Sequence, residues 1–194
     1  MNNRRSALFS IVILVALIVC AVGLGYFATT HKWSVFQPAV VTEPGYYKVT
    51  EFIDGDTIAV DMDGANEKVR MIGVDTPETH DPRKAVQCFG QAASDFTRNI
   101  IGQSSVRLEA DPINSSRDRY DRLLRYVYTR DGTLINAEII KQGYGFAYLG
   151  FPFTKSDEFR GYQSRARAES KGLWASCHPS ENQYGGFTSD NASN

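Results

Sequence analysis

The chain has 194 residues, 42% of them hydrophobic, with 21 basic and 22 acidic side chains and a formal net charge of −1. That length and apolar content predict one globular domain, and the charge excludes a protein that holds DNA by bulk electrostatic attraction. Setting residues 1–44 aside leaves the remainder slightly more acidic still, so any attraction for an anion has to be local.

The first stretch, residues 7–27, contains no charged side chain and is mostly Ile, Val, Leu and Ala. As a helix it would extend about 30 Å, enough to cross the hydrocarbon core of a bilayer. Arg4 and Arg5 precede it, which places the N-terminus in the cytoplasm and everything after Phe27 outside. An uncleaved transmembrane anchor over residues 1–28 is the favoured reading. A secretory signal cleaved near Ala21-Val22-Gly23 is the alternative, and either one exports the domain. Residues 29–45, with Pro38 and Pro44 and no clear period, read as a stalk.

From residue 46 the pattern turns to strands. Residues 47–52, 57–62 and 68–74 read as three strands joined by turns, the first turn at Asp54-Gly55 and the second at Asp63-Gly64. Arg70 shares a face with Ile72 and Val74, and a charge among apolar neighbours has to be paired or aimed at a ligand. After a polar loop, residues 91–101 read as a helix with Ala92, Phe96 and Ile100 in line and Gly102 closing it. Residues 106–110 and 123–129 read as a fourth and fifth strand. Asn136 can cap a short helix ending at Gly143, and a last helix spans about 156–171. Three linked strands, a helix and two more strands suit an α+β domain over residues 46–177 built on a small barrel or sheet. The Ser-, Asn- and Gly-rich residues 178–194 read as a disordered tail.

Outside the apolar stretch there are two cysteines, Cys88 and Cys177. In an oxidising compartment an even pair suggests a disulfide, the alternative being two unrelated thiols. Only three histidines occur, His31, His80 and His178, so histidine-metal and paired His-Lys phosphodiesterase motifs are excluded. There is no Gly-x-Ser-x-Gly elbow and no P-loop.

Three stretches carry chemistry. Ile53-Asp54-Gly55-Asp56-Thr57 and Val69 to Thr79, which contains Asp75-Thr76-Pro77-Glu78, together offer Asp56, Asp75, Glu78 and Arg70. The third is Asp118-Arg119-Tyr120-Asp121-Arg122. Taken singly, the first is an ordinary hairpin turn and the second a helix start with Pro in its first turn. All three in one chain, in this order, form a strong signal.

In these motifs the chain resembles the staphylococcal nuclease (thermonuclease) family, over about residues 47–174. The resemblance implies a five-stranded OB-fold barrel with about three helices, acting as a monomer. It implies hydrolysis of phosphodiester bonds in DNA and RNA, with Ca²⁺ as cofactor and no small-molecule cofactor. Asp56, Asp75 and the Thr76 carbonyl are then the metal ligands, and oxygen donors suit that ion. Glu78 would orient or deprotonate the attacking water, and Arg70 and Arg122 would clamp the phosphate and stabilise its growing charge. Arg119, Tyr120 and Tyr148 look like substrate contacts, the tyrosines stacking on unpaired bases of either sugar type. The family leaves the phosphate on the 3′ side. One departure is Asp121, where the family usually has glycine. Asp tolerates left-handed backbone angles, but its carboxylate could compete for Arg122.

Overall fold

The computed structural model describes residues 45–79, 86–182 and 186–191. The expected anchor and nearly all of the expected stalk lie outside them. Among the described residues no helix is long and apolar enough to cross a membrane.

Five strands close into a barrel in the order β1-β2-β3-β6-β5: β1 (Tyr46–Phe52), β2 (Thr57–Met62), β3 (Ala65–Met71), β5 (Ser105–Glu109) and β6 (Leu123–Tyr128). All neighbouring pairs are antiparallel except β3 and β6, which run parallel with Arg70 opposite Leu124. Closure removes every exposed edge from the five strands. The expected third strand ends early. Ile72-Gly73 breaks it, and Val74–Asp75 forms a separate short strand, β4, paired with β7 (Phe146–Ala147). Gly73 takes a positive φ of 71°, and a Cβ there would lie 2.6 Å from the Phe153 ring, so only glycine fits the break.

The barrel is filled by Ile58, Val60, Val69, Met71, Val106, Tyr126 and Val127, and the same core continues under the helices through Ile135, Ile139, Ile140, Phe153 and Phe159. Helix α1 (Gly90–Ile101) buries Ala93, Thr97 and Ile101 rather than the expected line, which instead flanks the core with Phe96 and Ile100. Helix α2 (Ile135–Lys141) has Leu134 at its N-cap. Asn136 is therefore not a cap. It is fully buried inside the first turn, accepts the Val127 N–H at 2.8 Å and donates to the Ile72 carbonyl at 2.9 Å, tying the β3–β4 break to β6. Helices α3 (Ser156–Ala168) and α4 (Leu173–Ser176) follow.

The C-terminal stretch corrects the expectation of a disordered tail. Ser180–Glu181 (β8) pairs with Phe187–Thr188 (β9), and Asn191 bridges to Gln87. Phe187 packs on Phe146 and edge-on against Trp174, giving this segment an aromatic anchor that its polar composition conceals. Cys88 and Cys177 are joined in a disulfide across 89 residues of chain.

Candidate active site

The turn after β1 is the first wall of the site. Gly55 lacks the positive φ expected of an Asp-Gly hairpin. Its role is close approach: a Cβ would lie 2.8 Å from Thr76 Cγ2 and 3.0 Å from Ala93 Cβ. The Ile53 and Asp54 N–H groups both donate to the Thr57 carbonyl, and three further bonds hold the turn. Thr97 Oγ1 donates to the Gly55 carbonyl at 2.6 Å, Met71 N–H to the Asp56 carbonyl at 2.9 Å, and Asp56 N–H to Asp54 Oδ1 at 3.0 Å.

Asp56 is buried, which leaves its carboxylate dependent on partners. Oδ2 accepts the Thr76 N–H at 2.8 Å and Thr76 Oγ1 at 3.1 Å, while Oδ1 accepts Thr57 Oγ1 at 2.9 Å. Arg70 then links the two sequence motifs. Its Nη1 lies 2.6 Å from Asp56 Oδ1, close but without the alignment of a hydrogen bond, and its Nη2 donates to Asp75 Oδ1 at 3.2 Å. Burial opposes the Arg70 charge, but Asp56, Asp75 and Asp54 outweigh it and hold the guanidinium above its ordinary range. Strand β4 carries Asp75 alongside Phe146, and the Tyr148 N–H donates to the Gly73 carbonyl at 2.9 Å, so the same short sheet brings Tyr148 to the rim.

The third motif closes the opposite side. Asp121 does take the left-handed angle, φ 65°, that glycine usually supplies. Its carboxylate, however, is exposed and lies 3.6 Å from Arg117, not on Arg122. The partner of Arg122 is Asp118, whose Oδ2 accepts Arg122 Nε at 2.8 Å and lies 2.7 Å from Nη2. Asp118 Oδ1 also accepts the Tyr120 and Arg122 N–H groups. Burial works against the Asp118 charge, but these bonds prevail and hold its carboxyl below the usual range. The expected competition from Asp121 is thus replaced by a fixed pair with Asp118, a residue of the same motif that went unassigned in the sequence.

Asp56, Asp75, Thr76, Glu78, Arg70 and Arg122 all line one cleft of about 170 Å³, together with Pro77 and Asp54. Asp54 is a further residue the sequence reading left without a role, although it lay in the quoted turn. Burial and then the charge of Asp56 push its carboxyl up to about 7, with Arg70 pulling the other way. Arg119, Tyr120 and Tyr148 line an adjoining groove of about 880 Å³ that shares Arg70, Asp75 and Arg122 with the cleft. Tyr120 is 63% exposed and Tyr148 44% exposed, so both rings face solvent. Arg119 donates to the Tyr120 hydroxyl at 2.7 Å and lies over its ring, and Tyr148 meets Phe151 edge-on, a groove aromatic that sequence reasoning missed.

A hard divalent cation fits the cleft's donor set. Among the described residues that line it, the acids are carboxylates and none offers sulfur or imidazole, while Asp54, raised first by burial and then by the charge of Asp56, adds a further oxygen donor. Among the described residues, the only three acidic, histidine or cysteine side chains whose ligand atoms all lie within 4.8 Å of one another are Cys88, Cys177 and Asp190, and there the sulfurs are bonded to each other.

A closed five-stranded barrel with an acidic, arginine-framed cleft at its mouth defines a domain suited to phosphate chemistry on an OB-type scaffold. A family model described as staphylococcal nuclease homologue matches residues 68–176. The thermonuclease of Staphylococcus hyicus is 42% identical over 130 residues, covering 66% of this chain and 75% of that protein. The thermonuclease of Staphylococcus intermedius is 41% identical over 125 residues, 64% of this chain and 71% of that protein. Endonuclease YncB of Bacillus subtilis is 38% identical over 125 residues, 63% and 58% of the two chains. The chain belongs to the staphylococcal nuclease family and is a nuclease.

Proposed function

We propose that this nuclease hydrolyses phosphodiester bonds of DNA and RNA without regard to the sugar, that it depends on calcium, and that it works outside the cytoplasm. The observation that carries the reading is the convergence of Asp56, Asp75, Thr76, Glu78, Arg70 and Arg122 on one small cleft. The Cys88–Cys177 disulfide supports the exported location, because such bonds persist in oxidising compartments. The apolar N-terminal stretch would anchor the domain to the membrane from that side.

Asp56, Asp75 and the Thr76 carbonyl would hold the calcium ion. When bound, such an ion polarises a phosphoryl oxygen and neutralises charge at phosphorus. Arg70 pairs with both ligand carboxylates and offers the cleft a guanidinium that stays charged. Arg122, braced by Asp118, supplies N–H donors to the oxygens on which charge grows in the transition state. Glu78 orients the attacking water and takes its proton as the new O–P bond forms. The P–O5′ bond then breaks, the 5′ oxygen leaves and takes a proton from solvent, and the phosphate stays on the 3′ side. Tyr120 and Tyr148, solvent-facing on the groove wall, stack on bases without reading their sequence, which fits single strands or breathing duplexes.

The test is digestion of plasmid DNA and of RNA by the purified protein with Ca²⁺ or with chelator. Both substrates are expected to be cut with Ca²⁺ only, and Glu78→Gln or Arg122→Ala is expected to cost orders of magnitude. Binding without cleavage under every divalent ion would overturn the proposal.

A further inference from the structure

A polar network unused by this chemistry runs from the C-terminal segment to the backbone of Glu78, with Gln87 at its centre. Gln87 Oε1 accepts the Glu78 N–H at 2.7 Å, and the Gln87 N–H donates to the Glu78 carbonyl at 2.9 Å. Both polar groups of the Glu78 main chain therefore end on one residue. On its other side, Gln87 Nε2 donates to Thr188 Oγ1 and to the Ser189 carbonyl, each at 3.3 Å.

The C-terminal segment is held independently of these contacts. The Cys88 N–H donates to the Asp190 carbonyl at 2.8 Å, and Ser189 Oγ donates to the Cys88 carbonyl at 2.9 Å. Phe187 is fixed by Phe146 and Trp174. The polarity of the Gln87 amide then has one workable orientation. Flipped, its NH₂ would face the Glu78 N–H and its oxygen the Ser189 carbonyl, two like-with-like contacts.

We propose that Gln87 is a positioning residue for Glu78, and that residues 186–191 form a clamp that holds the Gln87 amide in the orientation this requires. The inference rests on the role given to Glu78 above. Glu78 is held at both main-chain groups, and its Oε1 accepts the Thr79 N–H at 2.9 Å, so its carboxylate starts from a fixed base. Displacing a reacting group by about 1 Å can cost roughly 100-fold in rate. Loosening the clamp acts on kcat in this way, while the groove that binds substrate is untouched.

The test is steady-state kinetics on the full-length protein, with melting temperatures measured alongside. Gln87→Ala is expected to lower kcat roughly 10- to 100-fold with KM within about two-fold. Phe187→Ala, which frees the clamp but leaves Gln87 in place, is expected to reproduce part of that loss. On a Glu78→Gln background, Gln87→Ala is expected to cost nothing further, because its effect passes through Glu78. Additive losses in that cycle, or a change confined to KM, would overturn the proposal. Wild-type kcat in Gln87→Ala and Phe187→Ala beside an impaired Glu78→Gln would overturn this proposal and leave the role of Glu78 standing. A fully active Glu78→Gln would remove the role of Glu78 itself.

Discussion

Asp118 and Asp121 sit three residues apart and do different work. Asp118 accepts three hydrogen bonds, from the Tyr120 and Arg122 N–H groups and Arg122 Nε, and pairs with the Arg122 guanidinium, whereas Asp121 contributes mainly a backbone angle. Asp118→Asn keeps one acceptor oxygen but loses the charge that braces Arg122. Hydrogen bonds to charged groups contribute about 1.5–3 kcal/mol, so kcat should fall roughly 10- to 150-fold, as read by initial rates on single-stranded DNA. Asp121→Gly should leave kcat within about two-fold, since no bond from Asp121 reaches Arg122. A large gain in rate would show that the Asp121 carboxylate does compete for Arg122.

Asp111 gives a second residue-scale expectation, in stability rather than rate. It is fully buried, and its carboxylate accepts Tyr126 OH at 2.6 Å, the Thr154 N–H at 2.8 Å and Ile113 N–H at 2.9 Å. Burial alone would raise its pKa, but the bonds from Thr154 and Tyr126 prevail and hold it below the usual carboxylate range. A folded-state pKa below the unfolded one gives stability that is fully present above about pH 4 and lost as pH falls through the lower, folded value. Denaturant titrations from pH 7 down to pH 3 should show that loss in the wild-type protein. In Asp111→Asn the curve should start lower at pH 7 and fall less steeply below pH 4.

At the scale of elements, the site depends on how closely the β1–β2 turn can approach β4 and α1. Gly55 permits that approach by having no side chain, with Thr76 and Ala93 against it. Gly55→Ala should therefore strain the turn rather than merely stiffen it, costing about 1–3 kcal/mol as overpacking does. The cost is measurable by chemical denaturation, and a fall in activity should accompany it because the displaced neighbour is Thr76. An unchanged or higher stability would mean the turn can move away from β4 without penalty. The Arg70 side chain belongs to the same scale. It leaves the end of β3, where that strand pairs in parallel with β6, and reaches one acid from the β1–β2 turn and one from β4.

At the scale of the whole molecule, the Cys88–Cys177 disulfide closes most of the domain into one loop, from just before α1 to just after α4. On the chain-entropy argument, a loop of that length contributes about 4–5 kcal/mol. Cys88→Ser/Cys177→Ser should lower the unfolding free energy by about that amount, and reductant should then have no further effect. Because Cys88 follows Gln87 and donates its N–H to Asp190, the same variant should also loosen the C-terminal clamp and lower kcat. Equal stability with and without the bond would show that the packing of Phe146, Trp174 and Phe187 holds the C-terminus by itself.

The local signals were legible because they obey short-range rules. Alternating apolar residues marked the strands, Gly102 and Gly143 ended helices where expected, and the three polar motifs named nearly all of the residues that meet in the cleft. Misread features shared one cause, dependence on a partner distant in the chain. Gly55 owes its place to Thr76 rather than to a positive φ, and the Asn136 side chain bonds Val127 and Ile72 rather than capping its helix. The composition of the polar C-terminus predicts disorder, and does not reveal that Phe187 packs on Phe146 and Trp174. By itself the sequence determined which polar residues are candidates for the cleft and that they belong to an α+β domain built on a small barrel or sheet, since residue type and period-two patterning are local properties. Only the tertiary structure decided that Asp118 and not Asp121 holds Arg122, and that one guanidinium spans Asp56 and Asp75. Closing the barrel sets those distances, and no stretch of chain contains them.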